Sequence, residues 1–372
     1  MRPLAFRLAA AAAVTIACLA DVTPATASAA GLSANAHVFA TGFNDPRGLH
    51  FGPDGALYVA EGGLGGTRST VGQCTQVPPP VGPYTGGDSA RISRVDEDGV
   101  RSTVIDGLLS TNANPAIGGD IDGVADLAWI GGKLYALTAG GGCSHGNAGT
   151  VNGVLRIDHG VPEQVANLSA FIMANPTAHE PAEDFEPDGT WYGMVRVGNT
   201  LYATEPNHSE IDAVTPDGSV RRLVDMSAEP WVGPTALVYH RGSLYVGNLS
   251  PFPAVPGAAK IFKVNLDGTF SVFATGLTTV VGVAFDRHGR LYALESFTSF
   301  PFPAPPAAGS GKVVRLNSYG GWDEIVTGLN FPTAMTFGKD GDLYISNCGY
   351  HCGPGGGQIV RASVAGNSED QG

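Results

Sequence analysis

Alternating apolar and polar positions recur in a fixed arrangement along this chain. In FGPDGALYVAE (residues 51–61) an extended stretch meets a Gly-containing turn and returns through a Leu-Tyr pair, ending on an acidic residue. This is the pattern of a β-hairpin, because a period of two places successive side chains on opposite faces of a strand. Related hairpins carry Leu134-Tyr135, Leu201-Tyr202, Leu244-Tyr245, Leu291-Tyr292 and Leu343-Tyr344, with the clearest copies at VGVAFDRHGRLYALES (281–296) and TAMTFGKDGDLYISN (333–347). Each hairpin is followed by a third apolar stretch, such as ARISRVD, GVLRID, KIFKVN, KVVRLN or QIVRAS, and then by a Gly turn and a fourth stretch.

Six units of four strands predict a six-bladed β-propeller of antiparallel blades. The sixth unit, ending in QIVRAS, has no fourth strand after it. HVFATGF (37–43) matches FSVFATGL and DEIVTGL, both fourth strands, so the N-terminal strand is expected to complete the last blade and close the ring. An open sandwich would leave the repetition unexplained. Turns inside the hairpins and after the third strands are short. The segments 62–89, 106–122, 169–190, 249–258 and 296–311 are long and emerge together on the opposite face, where local function is expected.

Composition agrees with this reading. The chain has 372 residues with 53 Gly, 26 Pro and 15% charged side chains, a balance suited to short strands and turns rather than long amphipathic helices. Residues 1–29 read as a signal peptide, with Arg2 and Arg7 ahead of an apolar run too short to span a membrane and small residues near Ala27 and Ala29. Export is therefore expected, with residues 30–366 forming one domain and 367–372 a disordered tail. A lipid anchor on Cys18 is the lesser alternative. The formal net charge of −13 argues against nucleic acid as a partner and permits a cation ligand.

Four cysteines remain after the leader, an even number suited to an oxidising compartment. Of the three pairings, Cys74–Cys143 with Cys348–Cys352 is preferred. The first pair sits in equivalent long loops of neighbouring units, and the second closes a small loop. A zinc site from Cys143, His145, His351 and Cys352 is the alternative, but its spacing follows no standard pattern.

Candidate chemistry lies where the second strands end on the long-loop face. Glu61, Glu205, Asn248, Glu295 and Asn347 occupy comparable positions there, with Thr138 as the sixth. Arg47, Asp122, Asp126, Tyr192 and Thr235 lead into the first strands on the same side. A propeller brings such ends around one channel, so Arg47, Glu61, Asp126, Glu205, Asn248, Glu295 and Asn347 are the candidate ligand-binding residues. Carboxylates and amide oxygens are hard donors that suit calcium, although no fixed-spacing metal motif is present. The competing expectation is that these side chains simply accept hydrogen bonds at strand ends. His208 is the one histidine worth testing as an acid or base, and no Gly-x-Ser-x-Gly elbow occurs. The loops VPPPVGPY, SPFPAVP and SFPFPAPP offer Tyr84, Phe252, Phe300 and Phe302 as an apolar platform or as packing over their own blades.

Through ATGFNDPRGLHFGPDGALYVAEGG (40–63), GVADLAWIGGKLYAL (123–137) and DFEPDGTWYGMVRVGNTLYAT (184–204), the chain resembles the ScyD/ScyE family of exported six-bladed propellers. That resemblance implies the fold and export but no settled activity. More distantly it is similar to NHL-repeat, gluconolactonase-type and strictosidine-synthase-like proteins. The hydrolases among them use a Glu, an Asn and an Asp on the channel, for which Glu61, Asn248 and Asp126 are the nearest in kind. The first functional expectation is thus a secreted binding or scaffold propeller that takes a small molecule or an extracellular protein on its long-loop face, as a monomer without a membrane span. The second is a calcium-dependent lactone or ester hydrolase.

Overall fold

The computed structural model describes residues 31–114, 120–180, 185–229, 232–249, 254–300 and 306–364. The segment read as a signal peptide, residues 1–29, and the expected tail, 367–372, lie outside the described residues. Six antiparallel sheets form a six-bladed β-propeller. The first sheet contains β2 (Pro46–Phe51), β3 (Leu57–Glu61), β4 (Thr85–Val95), β5 (Arg101–Asn112) and the short β6 (Ile121–Asp122). The second contains β7 (Val124–Ile130), β8 (Lys133–Thr138), β9 (Gly153–Asp158) and β10 (Val161–Asn167). The third runs from β11 (Met194–Val197) through β12 (Thr200–Glu205) and β13 (Glu210–Val214) to β14 (Val220–Asp225). The fourth comprises β15 (Pro234–His240), β16 (Ser243–Asn248), β17 (Ala259–Asn265) and β18 (Phe270–Leu277), and the fifth β19 (Val280–Phe285), β20 (Leu291–Glu295), β21 (Gly311–Leu316) and β22 (Trp322–Leu329).

The sixth blade takes β23 (Ala334–Phe337), β24 (Leu343–Asn347) and β25 (Gly357–Ala362) from the C-terminal end and β1 (Ala36–Phe43) from the N-terminal end. In this closing pair Val38 faces Val360 and Thr41 faces Gln358, as the match between HVFATGF and the fourth strands predicts.

The Leu-Tyr pairs explain how the blades stack. Adjacent residues on a strand point to opposite faces, and each face of a blade meets a different neighbour. Leu134 packs back into the core between blades one and two, and Tyr135 packs forward into the core between blades two and three. Leu201 and Tyr202, Leu244 and Tyr245, and Leu291 and Tyr292 repeat the division around the ring. At the seam Leu343 packs back on blade five, and Tyr344 packs forward against Leu57 and Val59 of blade one. Six such cores, one between each pair of blades, hold the propeller together.

The hairpin turns are fixed by local chemistry. Asp54 Oδ1 accepts the Ala56 amide at 3.2 Å, and Gly55 adopts a φ of 82°, a conformation costly for residues with a Cβ. The same Asp binds Arg94 from the third strand at 2.9 Å, and Asp340 repeats the arrangement with Tyr344 and Arg361. One departure from the sequence reading is a two-turn helix, α1 (Leu168–Ala174), inside the segment expected to be loop. Asn167 caps it by accepting the Ala170 amide at 2.9 Å, while Leu168 and Ile172 are buried against blade two. Both preferred disulfides, Cys74–Cys143 and Cys348–Cys352, are formed, which engages the cysteines that the zinc alternative needs. They fit an oxidising compartment. No described helix is long and apolar enough to cross a membrane.

Candidate functional site: the central channel

The first strand of every blade, β2, β7, β11, β15, β19 and β23, faces the propeller axis, and together they enclose a cavity of about 310 Å³. Its wall is two-sided. Blades one to three contribute Arg47, His50, Asp122, Asp126 and Tyr192, whereas blades four to six contribute mainly Leu237, Val281, Val283, Phe285, Met335 and Phe337.

Asp126 organises the polar wall. Its Oδ1 lies 2.8 Å from His50 Nε2 and accepts the Leu127 amide at 2.8 Å, while its Oδ2 accepts the Met194 amide at 2.7 Å. One carboxylate therefore ties blade two to blades one and three. Gly48 makes this approach possible, since a Cβ there would lie 1.9 Å from Asp126 Oδ1. His50 remains partly open to the cavity, its side chain 36% exposed. Burial works against the charged imidazole, but the charge and hydrogen bond of Asp126 outweigh it and raise the His50 pKa.

At the long-loop end Arg47 donates to the Ile121 carbonyl and lies 3.3 Å from Asp122 Oδ1. Burial pushes Asp122 up to about 6, against the opposing charge of Arg47 and with the help of Glu186 and Asp120. Burial likewise raises Asp45 to about 7, with Arg47 again opposing and Asp120, Asp122 and Glu61 reinforcing the shift. Tyr192 donates to the Thr333 carbonyl at 2.7 Å. Blades three and six are opposite in a ring of six, so this phenol spans the channel. Burial raises its pKa above the ordinary tyrosine value.

Above blades one to three the long segments interlock around a buried pair. His145 Nε2 lies 2.9 Å from Glu186 Oε2, and Tyr84 donates to Glu186 Oε1 at 2.7 Å while stacking on the His145 ring. The Cys74–Cys143 disulfide and the Ser144 to Asp188 hydrogen bond of 2.6 Å fasten the same loops. Tyr84 is thus packed rather than displayed. Phe252 and Phe302 lie outside the described residues, and Phe300 sits 5.6 Å from Phe297.

The predicted site residues divide into two groups. Arg47 and Asp126 line the cavity. Glu61, Glu205, Asn248, Glu295 and Asn347 are buried at the strand ends but do not line it. Glu61 accepts the Asn44 amide at 2.6 Å, Glu205 the Thr190 amide at 2.7 Å, Glu295 the Thr278 amide at 2.7 Å and Asn347 the Asn330 amide at 2.8 Å. In all four cases the amide belongs to the crossing from one blade into the next blade's first strand, where no ladder partner is present. Asn248 Oδ1 instead accepts the Lys260 amide at 2.5 Å, and Thr138 exchanges hydrogen bonds with Gly153. Glu61 also binds Arg91 at 2.8 Å and Ser93 at 2.5 Å. These oxygens act as clamps on the main chain.

The donor set considered for calcium is therefore engaged in hydrogen bonds to main-chain amides. Among the described residues no group of three or more His, Cys, Asp or Glu side chains is placed to hold a metal ion. His208 is 3% exposed, with Nδ1 at 3.1 Å from Glu205 Oε2. Burial opposes its charge, but Glu205, Glu210 and Glu180 raise it to about 9. It lies away from the cavity wall. His50 escaped the sequence reading, although aligning FGPDG, FDRHG and FGKDG sets it opposite Ala284 and Thr336. A titratable side chain at a small-residue position is the signal that could have found it.

No protein-family model matches the chain, and no curated protein matches it. Among solved structures it is similar to a protein of unknown function from Bacteroides thetaiotaomicron, with a TM-score of 0.54 and 12% identity over 89% of this chain and 76% of that one. A Thermus thermophilus protein assigned as a glucose dehydrogenase oxidoreductase gives 0.52 and 18%, covering 90% of this chain and all (100%) of that chain. A gluconolactonase from Xanthomonas campestris gives 0.50 and 12%, covering 88% of each. At these identities the likeness establishes the fold: the chain is a six-bladed propeller of the architecture shared by these proteins.

Proposed function

We propose that this chain is a propeller, exported as its ScyD/ScyE resemblance implies, that binds a small molecule seated in the central channel. The observation that carries this reading is the two-sided cavity wall, in which Arg47, His50, Asp122 and Asp126 face an apolar half formed by Val283, Phe285, Met335 and Phe337. A few convergent polar groups against an apolar wall are what small-molecule sites use, and about 310 Å³ lies at the lower end of their size range. The leader and the two disulfides support export. The hydrolase alternative has less support, because Glu61 and Asn248 hold main-chain amides.

A fragment screen by ligand-observed NMR on the purified secreted chain, repeated on Ala236→Trp, tests the reading. Ala236 lines the cavity, so a tryptophan there reduces its volume. Fragments that bind the wild type and are lost in the variant are expected. Fragments that bind both equally would place recognition on the outer surface and refute it.

A further inference from the structure

The two ends of the channel differ in the residues and charges that surround them. At the long-loop end Tyr192 crosses to Thr333, and Asp45, Asp120 and Asp122 gather around Arg47. The opposite end lies beside the hairpin turns, because Phe51 pairs with Leu57 next to the turn whereas Pro46 pairs with Glu61 at the far end. His50, Val238, Phe285 and Phe337 line the cavity at this turn-side end.

Around that mouth five successive blades each present a cation. Lys133 follows the β7–β8 turn, Arg196 precedes the β11–β12 turn, and Arg241, Arg287 and Lys339 occupy the next three inner turns. All five are exposed, and none forms an ion pair among the described residues. The acids of the inner turns are already paired: Asp54 with Arg94, Asp286 with Arg290, and Asp340 and Asp342 with Arg361. In a chain of net charge −13 this leaves a run of five cations on the inner turns of blades two to six, inside the acids Asp96, Glu97, Asp98, Asp217 and Asp267 of the outer turns on the same face.

We infer that the channel admits a small anionic molecule with an apolar body through the hairpin-turn mouth, opposite the long-loop face. This rests on the channel-binding reading and deepens it. The run of cations draws the anion to the mouth, where His50, held by Asp126, is the ionisable side chain of the wall nearest the turns. The apolar body then meets Val238, Phe285 and Phe337. Steering of this kind acts mainly on association and weakens with salt.

Two fluorescent probes separate the charge from the apolar body: 1-anilinonaphthalene-8-sulfonate, an anion, and N-phenyl-1-naphthylamine, its uncharged counterpart. Both are expected to bind the secreted chain saturably at one site and to be displaced by Ala236→Trp. The double variant Arg241→Glu, Lys339→Glu should weaken the sulfonate at least fivefold at low salt, slow its association in stopped flow, and change binding of the neutral probe less than twofold. Equal effects on both probes, or none on either, would overturn the inference while leaving the channel reading in place. Sulfonate binding that survives Ala236→Trp yet depends on these cations would also overturn it, as adsorption to the surface. If neither probe binds, the channel reading fails and takes the inference with it. Thermal melts of each variant verify folding, and the exposed position of Arg241 and Lys339 keeps that risk low.

Discussion

A carboxylate at the end of a second strand can serve a ligand or serve the main chain, and Glu61 shows the second use. Fully buried, it takes hydrogen bonds from the Asn44 amide, Arg91 and Ser93. Removing it would strand an amide and a guanidinium together, so Glu61→Ala should cost about 3 kcal/mol in denaturant unfolding. Calcium chloride or a chelator should leave the melting temperature of the wild type unchanged; a saturable rise with calcium would return these oxygens to metal binding. The residue types and spacing were legible in the sequence. Their partners were not, because each amide belongs to a crossing segment whose position depends on how the blades close.

Ionisable residues also set a pH dependence with a definite sign. Asp122 and Asp45 have folded values of about 6 and 7 against an ordinary 3.8, so the folded state holds their protons longer. The stability they contribute is largest at acid pH and falls as pH rises from about 4 to 7. His208, raised from 6.5 to about 9, acts in the same direction over the next window: its contribution is full below 6.5 and is lost toward 9. Acids such as Asp54 and Asp286, whose values are lowered, matter only below about pH 4. The melting temperature should therefore peak at about pH 4 and decline steadily to pH 9. A rise across pH 6 to 9 would contradict the burial described for Asp45, Asp122 and His208.

Among the elements, β1 and the disulfides bear the most testable weight. Phe43 is fully buried in the core between the closing blade and blade one, and Phe43→Ala should cost about 4 kcal/mol, seen as a lower denaturant midpoint. An effect below about 1 kcal/mol would mean that β1 contributes little to closure. The Cys74–Cys143 bridge spans 69 residues and Cys348–Cys352 spans 4. In the chain-entropy account, loss of the longer bridge costs about 4 kcal/mol and of the shorter about 2. Paired Cys→Ser variants should melt in that order. Element type and order were readable because each strand repeats the same alternation and each hairpin turn supplies a Gly, joined by Asp54, Asp286 and Asp340 in blades one, five and six. Helix α1 was not, since Leu168–Ala174 interrupts the strand period for only two turns, and its cap at Asn167 is also a common loop residue.

At the level of the whole molecule, closure converts a repeat into a site. The Leu-Tyr pairs direct each blade backward and forward onto its neighbours, and with six units the first strands converge on one axis. That convergence was predictable from the repeat. The division of the cavity into a polar and an apolar half was not, because Asp126 reaches His50 only where Gly48 leaves room for it. Whether that cavity receives a ligand is the central question, and the methionines provide the direct measurement. Met335 lines the channel, whereas Met173 is 59% exposed on α1. In protein labelled with carbon-13 at the methionine methyls, titration with N-phenyl-1-naphthylamine should shift the Met335 resonance saturably and leave Met173 in place. A shift at Met173 with Met335 unmoved would show that the probe binds outside the channel and would contradict the account.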